Sequence, residues 1–423
     1  MTLLNLCIAM PLAAFVALLL VPRGRPEVSR WLALALSLAI FAASVGLVAG
    51  FDRATAGFQF ETDAPWIHVP AIRYHVAVDG LSLWLVLLAT LLTPVAVLIS
   101  WRSVTKRVKE FFAFLLLLEF GLVGVFAALD LFLFYVFWEV SLVPMYFLIG
   151  IWGHERRIYA AVKFFLYTMA GSVLMLAAMI YLYNATGTFD YTLLVRDIVS
   201  GRLGLSPTEE TLLFLAFFVA FAIKVPLFPL HTWLPDAHVE APTAGSVMLA
   251  SVMLKMGCYG LVRFCLPMFP TAAATHRSWI VPLAIIGIIY GALVAMVQPN
   301  MKKLVAYSSV SHLGFVVLGV FSFTQIGLDG AVYQMLNHGI STGALFMLVG
   351  YLYERRHSLE IADYGGVATA APNLAAVFMI TMLASVGLPS LNNFVGEFLV
   401  LQGVAQVKLL WTALAALGVI LSA

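Results

Sequence analysis

The chain has 423 residues, of which 63% are hydrophobic and 10% are charged. Soluble domains carry about 25% charged residues, so this composition excludes a soluble globule and predicts an integral membrane protein. The formal net charge is only +2, and no basic tract suggests binding to nucleic acid. The three cysteines, Cys7, Cys258 and Cys265, form no C-x-x-C pair, which argues against an iron–sulfur or zinc site.

Apolar runs that could cross a bilayer fill nearly the whole sequence. A span needs roughly 20 apolar residues, and the first run has no basic segment ahead of it, so we expect a retained helix rather than a cleaved signal peptide. The sequence predicts an all-α polytopic membrane protein with thirteen spans. They cover residues 2–21, 31–50, 80–100, 111–129, 131–151, 160–183, 211–230, 241–266, 279–297, 303–323, 328–353, 370–405 and 409–423.

Lysine and arginine fall unevenly on the two sides of these spans. Of the 23 basic residues, thirteen lie in loops of one side and six in loops of the other. Because cytoplasmic loops carry the excess of positive charge, the richer side is predicted to be cytoplasmic and the N-terminus outside, in a bacterial inner membrane. Loops 22–30, 101–110, 152–159 and 354–366 are then cytoplasmic, and loops 51–79 and 184–210 lie outside.

Ionisable side chains occur inside the predicted spans, where a central Lys, Arg or Asp costs about 2.5–3.5 kcal/mol. They are Glu119, Glu139, Lys163, Lys224, Lys255, His312, His338 and Glu397. Several such groups together indicate an internal polar path, whereas satisfied contacts between helices are the structural alternative. For Glu119 both interpretations stay open. Arg263 lies near a helix end, and we expect its side chain to extend to the membrane surface.

The spacing around three of these residues supports a path. Residues three or four apart share one face of a helix, and hydroxyl, amide and imidazole groups at such steps can hold water and pass protons. Helix–helix hydrogen bonding is the alternative interpretation. The groups concerned are Ser251 and Tyr259 around Lys255, Ser308 before His312, and Gln334, Ser341 and Thr342 around His338.

Two predicted spans are interrupted by proline. Pro226 and Pro229 follow Lys224, and Pro389 precedes Glu397. Proline removes a helical hydrogen bond, and broken helices at membrane depth are typical of ion sites in transporters. The breaks lie five predicted spans apart, an odd number that inverts topology, so the sequence predicts two inverted five-helix repeats.

These repeats divide the chain into three regions. Residues 1–110 contain the N-terminal helices and an outer loop, residues 111–266 form the first five-helix repeat, and residues 279–423 form the second. The last apolar run ends at Ala423 without a polar flank, and the second repeat is therefore expected to be C-terminally incomplete.

Three segments of the sequence resemble the antiporter-like subunits of respiratory complex I. They are KVPLFPLHTWLPDAHVEAPTA at 224–244, FWEVSLVPMY at 137–146 and GLPSLNNFVGEF at 387–398. The resemblance extends from the first span to the end of the chain. Glu397 favours the M-type chains of proton-translocating NADH:quinone oxidoreductase, because L-type and N-type chains usually carry lysine there. That family normally has fourteen spans.

The resemblance implies a role for each matching residue. Glu139 would pair with Lys224, and separating or neutralising the pair would push the lysine proton toward Lys255. From there His312 and His338 would continue the path, Glu397 would serve the exit side, and Lys163 is a further candidate.

The resemblance also implies what lies on other chains. NADH, flavin and quinone would bind other subunits, and the sequence contains no G-x-G-x-x-G opening a Rossmann unit, so we expect no cofactor here. The expected partners are lipid and other membrane subunits of complex I, with an L-type and an N-type chain on either side.

The implied function is proton translocation, as one subunit of a translocase whose redox chemistry lies elsewhere. A subunit of an Mrp-type sodium/proton antiporter or of a membrane-bound hydrogenase is the first alternative, because those proteins share the lysine and glutamate pattern. A purely structural membrane scaffold is the second.

Overall fold

A computed structural model describes residues 2–423, which are almost entirely helical. The elements are α1 Leu3–Leu20, α2 Pro26–Gly50, β1 Gln59–Ile67, β2 Ile72–Val78, α3 Ser82–Ser103, α4 Val108–Ala127, α5 Leu131–Trp152, α6 Arg157–Thr186, α7 Tyr191–Val199, α8 Pro207–Lys224, α9 Trp233–Glu240, α10 Thr243–Met268, α11 Pro270–Met296, α12 Met301–Val320, α13 Gln325–Arg356, α14 Pro372–Val386, α15 Asn392–Ala405 and α16 Leu409–Ser422.

Within the described residues, ten helices are long and apolar enough to span a membrane. These are α1 to α6 and α10 to α13, and each coincides with a predicted span. The prediction of a polytopic helical membrane protein is therefore confirmed. The other three predicted spans correspond to α8, to α14 with α15, and to α16, and the total of thirteen stays a prediction.

Contacts between loops define two faces of the helix bundle. On the hairpin face, strand β2 contacts the turn between α4 and α5, where Leu129 N donates to His75 O (2.8 Å). On the opposite face, Arg30 Nη2 donates to Val104 O (3.1 Å), and Trp152 Nε1 donates to Lys106 O (2.8 Å). The loops rich in Lys and Arg thus meet at the opposite face.

The fold is mostly helical, as predicted, but one segment of the outer loop forms strands that the all-α prediction did not include. Strands β1 and β2 form an antiparallel hairpin there, and Val76 and Val78 of β2 are fully buried. The run IRYHVAV at 72–78 is rich in β-branched and aromatic residues, which favour strands. We expected only a loop because the segment is too short and too polar to span a membrane.

The first proline break lies where the sequence placed it. Helix α8 ends at Lys224, and turns fill the chain until α9 begins at Trp233. The carbonyl of Ala222 accepts from Leu227 N (2.8 Å), and that of Ile223 accepts from the Trp233 indole N–H (2.9 Å). Backbone groups at this break are thus partly satisfied inside the protein, as their depth requires.

The second break separates α14 from α15. Helix α14 ends at Val386, and Gly387 adopts a left-handed φ of +81°, which glycine tolerates without strain. Pro389 then prevents continuation, and α15 begins at Asn392. Glu397 lies in the second turn of this new helix and is buried.

Helix α10 contains two wide turns of π-helix, Leu249–Met253 and Leu261–Cys265. Lys255 lies between them, fully buried. Single π-turns inside α-helices are often found at functional sites. The sequence analysis did not predict them, because their side-chain pattern does not differ visibly from that of an α-helix.

Candidate functional site

A buried lysine lies at the centre of the bundle. The Lys255 side chain bends back along α10, and Nζ donates to Ala250 O (2.6 Å) within the first wide turn. The same Nζ lies 2.6 Å from Nδ1 of His338 on α13. Both side chains are fully buried, so this hydrogen bond is formed away from bulk solvent.

A second buried pair continues from the first. The imidazole of His312 on α12 lies 2.7 Å from Glu397 Oε1, measured from Nδ1. Gln334 Nε2 donates to the same carboxyl oxygen (3.0 Å). The rings of His312 and His338 are 5.8 Å apart between centroids. Four titratable side chains therefore form one row across α10, α13, α12 and α15.

The row is bordered by polar groups from both sides of the second break. Ser385 Oγ is 3.5 Å from His312 Nε2, and Asn393 Nδ2 donates to Ser341 Oγ (3.1 Å). His338 Nε2 and Thr342 Oγ1 have no hydrogen-bond partner among residues 2–423. Buried polar groups of this kind are typical sites for internal water.

Lys224 lies apart from the row, at the last residue of α8. Its side chain is fully buried, and Nζ meets no hydrogen-bond acceptor among the described residues. The ammonium is 5.1 Å from the ring centroid of Trp138 and 5.5 Å from that of Phe164. Aromatic faces attract cations at such distances, which gives this lysine an environment without a bound counter-ion.

The expected contact between Glu139 and Lys224 is not formed. Among the described residues, no nitrogen–oxygen distance of 4.0 Å or less joins them. Glu139 is only half-buried on α5, next to Trp138, whose indole N–H donates to Ser172 Oγ (2.9 Å). Trp138, the residue before Glu139, is the one that lies beside the ammonium, and the sequence could not show that an aromatic ring occupies this space.

Lys163 makes an ion pair near the first break. Its Nζ lies 2.7 Å from Asp236 Oδ2 on α9. Both side chains are partly exposed, at 20% and 30%. Lys163 therefore lies at the rim of the bundle, away from the row around Lys255.

Two buried polar residues were missed by the sequence analysis. Lys302 was counted as a loop residue, but it is buried and its Nζ donates to Ala241 O (2.7 Å). His238 is fully buried and stacks on Phe346 with centroids 4.4 Å apart. His238 could have been noticed, because it lies inside the long motif after the first break. Lys302 carried no sequence signal beyond a basic pair at a helix start.

Arg263 pairs with a loop carboxylate at the hairpin face. Its side chain is 10% exposed, and the expectation that it extends to the membrane surface stays a prediction. It forms an ion pair with Asp79, which lies between β2 and α3. Sequence spacing could not reveal this contact, because the two residues are 184 positions apart.

Glu119, also buried, lies in α4 away from the row, and its carboxyl oxygens have no hydrogen-bond partner among residues 2–423.

Outside the membrane-spanning segments, one histidine lies between two carboxylates. His75 Nδ1 is 2.7 Å from Asp190 Oδ2, and Nε2 is 2.8 Å from Glu61 Oε1. Burial alone lowers the pKa of His75, but the two hydrogen bonds outweigh it and raise the pKa to about 8. Burial raises the pKa of Asp190, while hydrogen bonds from His75 and Thr192 bring it down to about 2. This cluster fastens the hairpin to the segment before α7.

The chain is similar to known proteins over its whole length. Residues 128–422 match the family described as the transmembrane segment of NADH:quinone oxidoreductase and Mrp antiporters. A protein of Rhodobacter capsulatus, NADH-quinone oxidoreductase subunit M, is 50% identical, and the alignment covers 100% of this chain and 84% of that protein.

Solved structures show the same fold. A chain of respiratory complex I from Thermus thermophilus is 36% identical with a TM-score of 0.89, over 99% of this chain and 86% of that one. A chain of the Mrp complex from Dietzia sp. has a TM-score of 0.87 at 22% identity, over 99% of this chain and 46% of that one, which shows a shared fold alone. The chain therefore belongs to the family of NADH:quinone oxidoreductase and Mrp antiporter membrane subunits.

Proposed function

We propose that this chain translocates protons across the membrane as a subunit of a proton-translocating NADH:quinone oxidoreductase. The carrying observation is the buried row from Lys255 to Glu397, with hydrogen bonds of 2.6 and 2.7 Å at its two ends. Lysine, imidazole and carboxyl groups can each bind and release a proton. The 50% identity to a subunit M over the full chain supports this assignment.

The row gives each residue a position in the transfer. Lys224 delivers a proton to Lys255, which shares it with His338. His312 passes it across the 5.8 Å between the two rings, through water or by ring movement, and Glu397 releases it. Lys163 with Asp236 lies beside the first break and acts on the uptake side. The chain itself binds no redox cofactor, and the electron transfer occurs on partner subunits.

Glu139 controls this transfer through its charge. A carboxylate near a buried ammonium stabilises the protonated lysine. In the arrangement described here Lys224 lacks a contacting counter-ion, and this favours proton release. Approach of the Glu139 carboxylate would favour proton uptake. The pair then works as a switch, with the separated arrangement as one of its two positions.

The test is NADH-driven acidification of vesicles that contain the purified complex. Glu139→Gln keeps the shape of the side chain and removes its charge, so the assembled variant should lose most proton translocation, and Lys224→Ala should do the same. Glu139→Asp retains the charge and should be milder. If assembled Glu139→Gln enzyme pumps at the native rate, the switch is wrong.

A subunit of an Mrp-type sodium/proton antiporter is the second candidate, because the shared fold extends to the Dietzia Mrp complex. Purification decides between the two. Under the first proposal the chain co-purifies with NADH-oxidising subunits and with one antiporter-like chain on either side. Recovery with membrane chains alone, or with hydrogenase subunits, would support the second.

We propose further that residues 111–266 and 279–423 are inverted repeats. Two isolated β-bridges support this division, Asp130 with Asp190 and Asn300 with Glu360. Each joins residues 60 positions apart, one directly before α5 and the other directly before α12. The first lies at the hairpin face and the second at the opposite face, as inversion requires.

The orientation of the chain is also a proposal. The opposite face carries the loops with most Lys and Arg, so we place it in the cytoplasm and the N-terminus outside. Thr105→Cys and Gly57→Cys probe the two faces, and the three native cysteines are buried. A membrane-impermeant thiol reagent added to intact cells should label position 57 only. Labelling of position 105 alone would reverse the orientation.

A further inference from the structure

Arg263 has surroundings that the proton row does not use. It lies on α10, eight residues after Lys255 and toward the hairpin face. Its guanidinium forms an ion pair with Asp79, and Nε donates to the hydroxyl oxygen of Tyr259 (3.2 Å). The Tyr259 hydroxyl in turn donates to Phe126 O at the end of α4 (3.3 Å).

Aromatic rings enclose the guanidinium. Its carbon lies 5.1 Å from the ring centroid of Phe58, 5.4 Å from Tyr259 and 5.8 Å from Tyr191. These rings come from the chain before β1, from α10 and from α7. The arginine is thus held at a point where the hairpin, α7 and α10 meet, at the hairpin-face end of the helix that carries Lys255.

The positive residue of the ion pair lies closer to Lys255 than the negative one does. Arg263 contacts Tyr259, one turn closer to Lys255, whereas Asp79 lies in the loop between β2 and α3. A proton that moved from Lys255 along α10 would therefore meet the positive end of the pair first. A guanidinium stays protonated in proteins, so it cannot relay that proton either.

We propose that Arg263, held by Asp79, is a charged barrier that closes the hairpin-face end of α10 to protons. A proton on Lys255 is then directed to His338 instead of crossing to the hairpin face. Arg263 is a positioning residue for the path and takes no part in it as a carrier. This inference rests on the proposed function, since a barrier matters only if Lys255 carries protons.

The expected size of the effect follows from distance. Eight residues of helix separate the backbones of Lys255 and Arg263 by about 12 Å, and the Lys255 side chain points away from Arg263 toward Ala250. At an effective dielectric constant of about 20, one fixed charge at about 12 Å changes proton occupancy about tenfold, and less at a longer distance. Loss of the guanidinium should therefore raise passive proton conductance by at most about tenfold, because Asp79 would then attract protons to this end of the helix.

The experiment compares two variants that break the same ion pair from opposite sides. Passive proton entry is measured without NADH, with a pH-sensitive dye inside vesicles that contain the assembled complex, under an imposed potential. Arg263→Gln should leak and should lower the number of protons pumped per NADH oxidised. Asp79→Asn should stay tight, because the positive charge remains.

The outcomes are distinct. Equal proton leaks in both variants would mean that the ion pair only holds helices together. No leak in either variant would mean that the end of α10 is closed without the ion pair. Either result overturns the barrier. If Arg263→Gln fails to assemble, the charge swap D79R/R263D keeps a pair but reverses its direction, and it should leak, while a tight swap overturns the barrier.

A matched control uses the exposed ion pair of Arg73 and Asp63 on the hairpin. Arg73→Gln removes an arginine of the same face and should leave conductance at the native value. An equal leak in this control would also overturn the barrier. Failure of the proposed function would look different, because the native complex itself would then show no acidification with NADH.

Discussion

Nζ of Lys255 and Nδ1 of His338 lie 2.6 Å apart, on helices α10 and α13 that belong to different proposed repeats. A hydrogen bond of this length needs one donor and one acceptor, so either the lysine donates to the imidazole or the imidazole donates to a neutral amine. The contact joins the two halves of the chain through a group that can change its protonation state.

Replacement of His338 should interrupt translocation at this contact. His338→Ala removes the acceptor that faces Lys255, and we expect proton pumping to fall about tenfold or more, while the complex still assembles. His357→Ala is a matched control, because that histidine follows α13 at its exposed end. Pumping is measured as dye-reported acidification per NADH oxidised. Native pumping by His338→Ala would remove this residue from the path.

Proton pumping should depend on the titratable carboxyl group of Glu397 and on the length of its side chain. Its Oε1 accepts from Gln334 and contacts His312, so Glu397→Gln replaces a proton acceptor by a group that does not titrate, and pumping should be lost. Glu397→Asp withdraws the carboxyl by one methylene and should give an intermediate rate. Glu155→Gln, at an exposed carboxylate, serves as the control. Equal rates in Glu397→Gln and native complexes would contradict the assignment.

A glycine on α10 should matter for assembly. A Cβ at Gly257 would lie 2.8 Å from Phe221 O and 2.9 Å from Val225 N of the first break, which is closer than real contacts allow. Gly257→Ala should therefore push α8 from α10 and lower the yield of complex, at a cost of about 1–3 kcal/mol for overpacking. Gly80→Ala meets nothing within 4 Å and should leave the yield unchanged. A native yield and melting temperature for Gly257→Ala would refute this.

The hairpin should bind less firmly at alkaline pH. The pKa of His75 rises from 6.5 to about 8 on folding, so its charge stabilises the docked hairpin fully below pH 6.5, and this stabilisation is lost as pH rises through 8. Asp190, with a pKa of about 2, stays ionised throughout that window.

Hydrogen exchange measures this loss. After correction for intrinsic rates, the amides of β2 and Leu129 should exchange faster at pH 9 than at pH 6, and His75→Gln should abolish the difference. A pH-independent rate in the native protein would show that the histidine charge does not hold the hairpin.

Much of this architecture could be predicted because membrane insertion constrains a sequence strongly. Apolar length predicted the ten helices, and proline chemistry predicted where α8 and α14 end. The cost of buried charge identified Lys255, His312, His338 and Glu397, which the fold then brings into one row. Local spacing could not predict the hairpin or the ion pair of Arg263 with Asp79, since both depend on contacts between distant segments.

The same reasoning explains why the expected contact between Glu139 and Lys224 is not seen. The family resemblance implied a pairing with Lys224, but the direction of each side chain depends on the aromatic residues around them. Trp138 and Phe164 lie beside the ammonium, and such packing follows from three-dimensional contacts that a single sequence does not contain.

Under the proposed function, the wide turn before Lys255 has a consequence for how fast a proton leaves this residue. Ala250 O accepts a hydrogen bond from Nζ, and a carbonyl can accept from a neutral amine as well as from an ammonium. The hydrogen bond to Ala250 O therefore remains after Lys255 releases its proton. The lysine nitrogen does not have to move to a new position before the next transfer. A preorganised group of this kind needs little reorganisation at each step, so the proposed path predicts that the wide turn of α10 speeds each proton transfer.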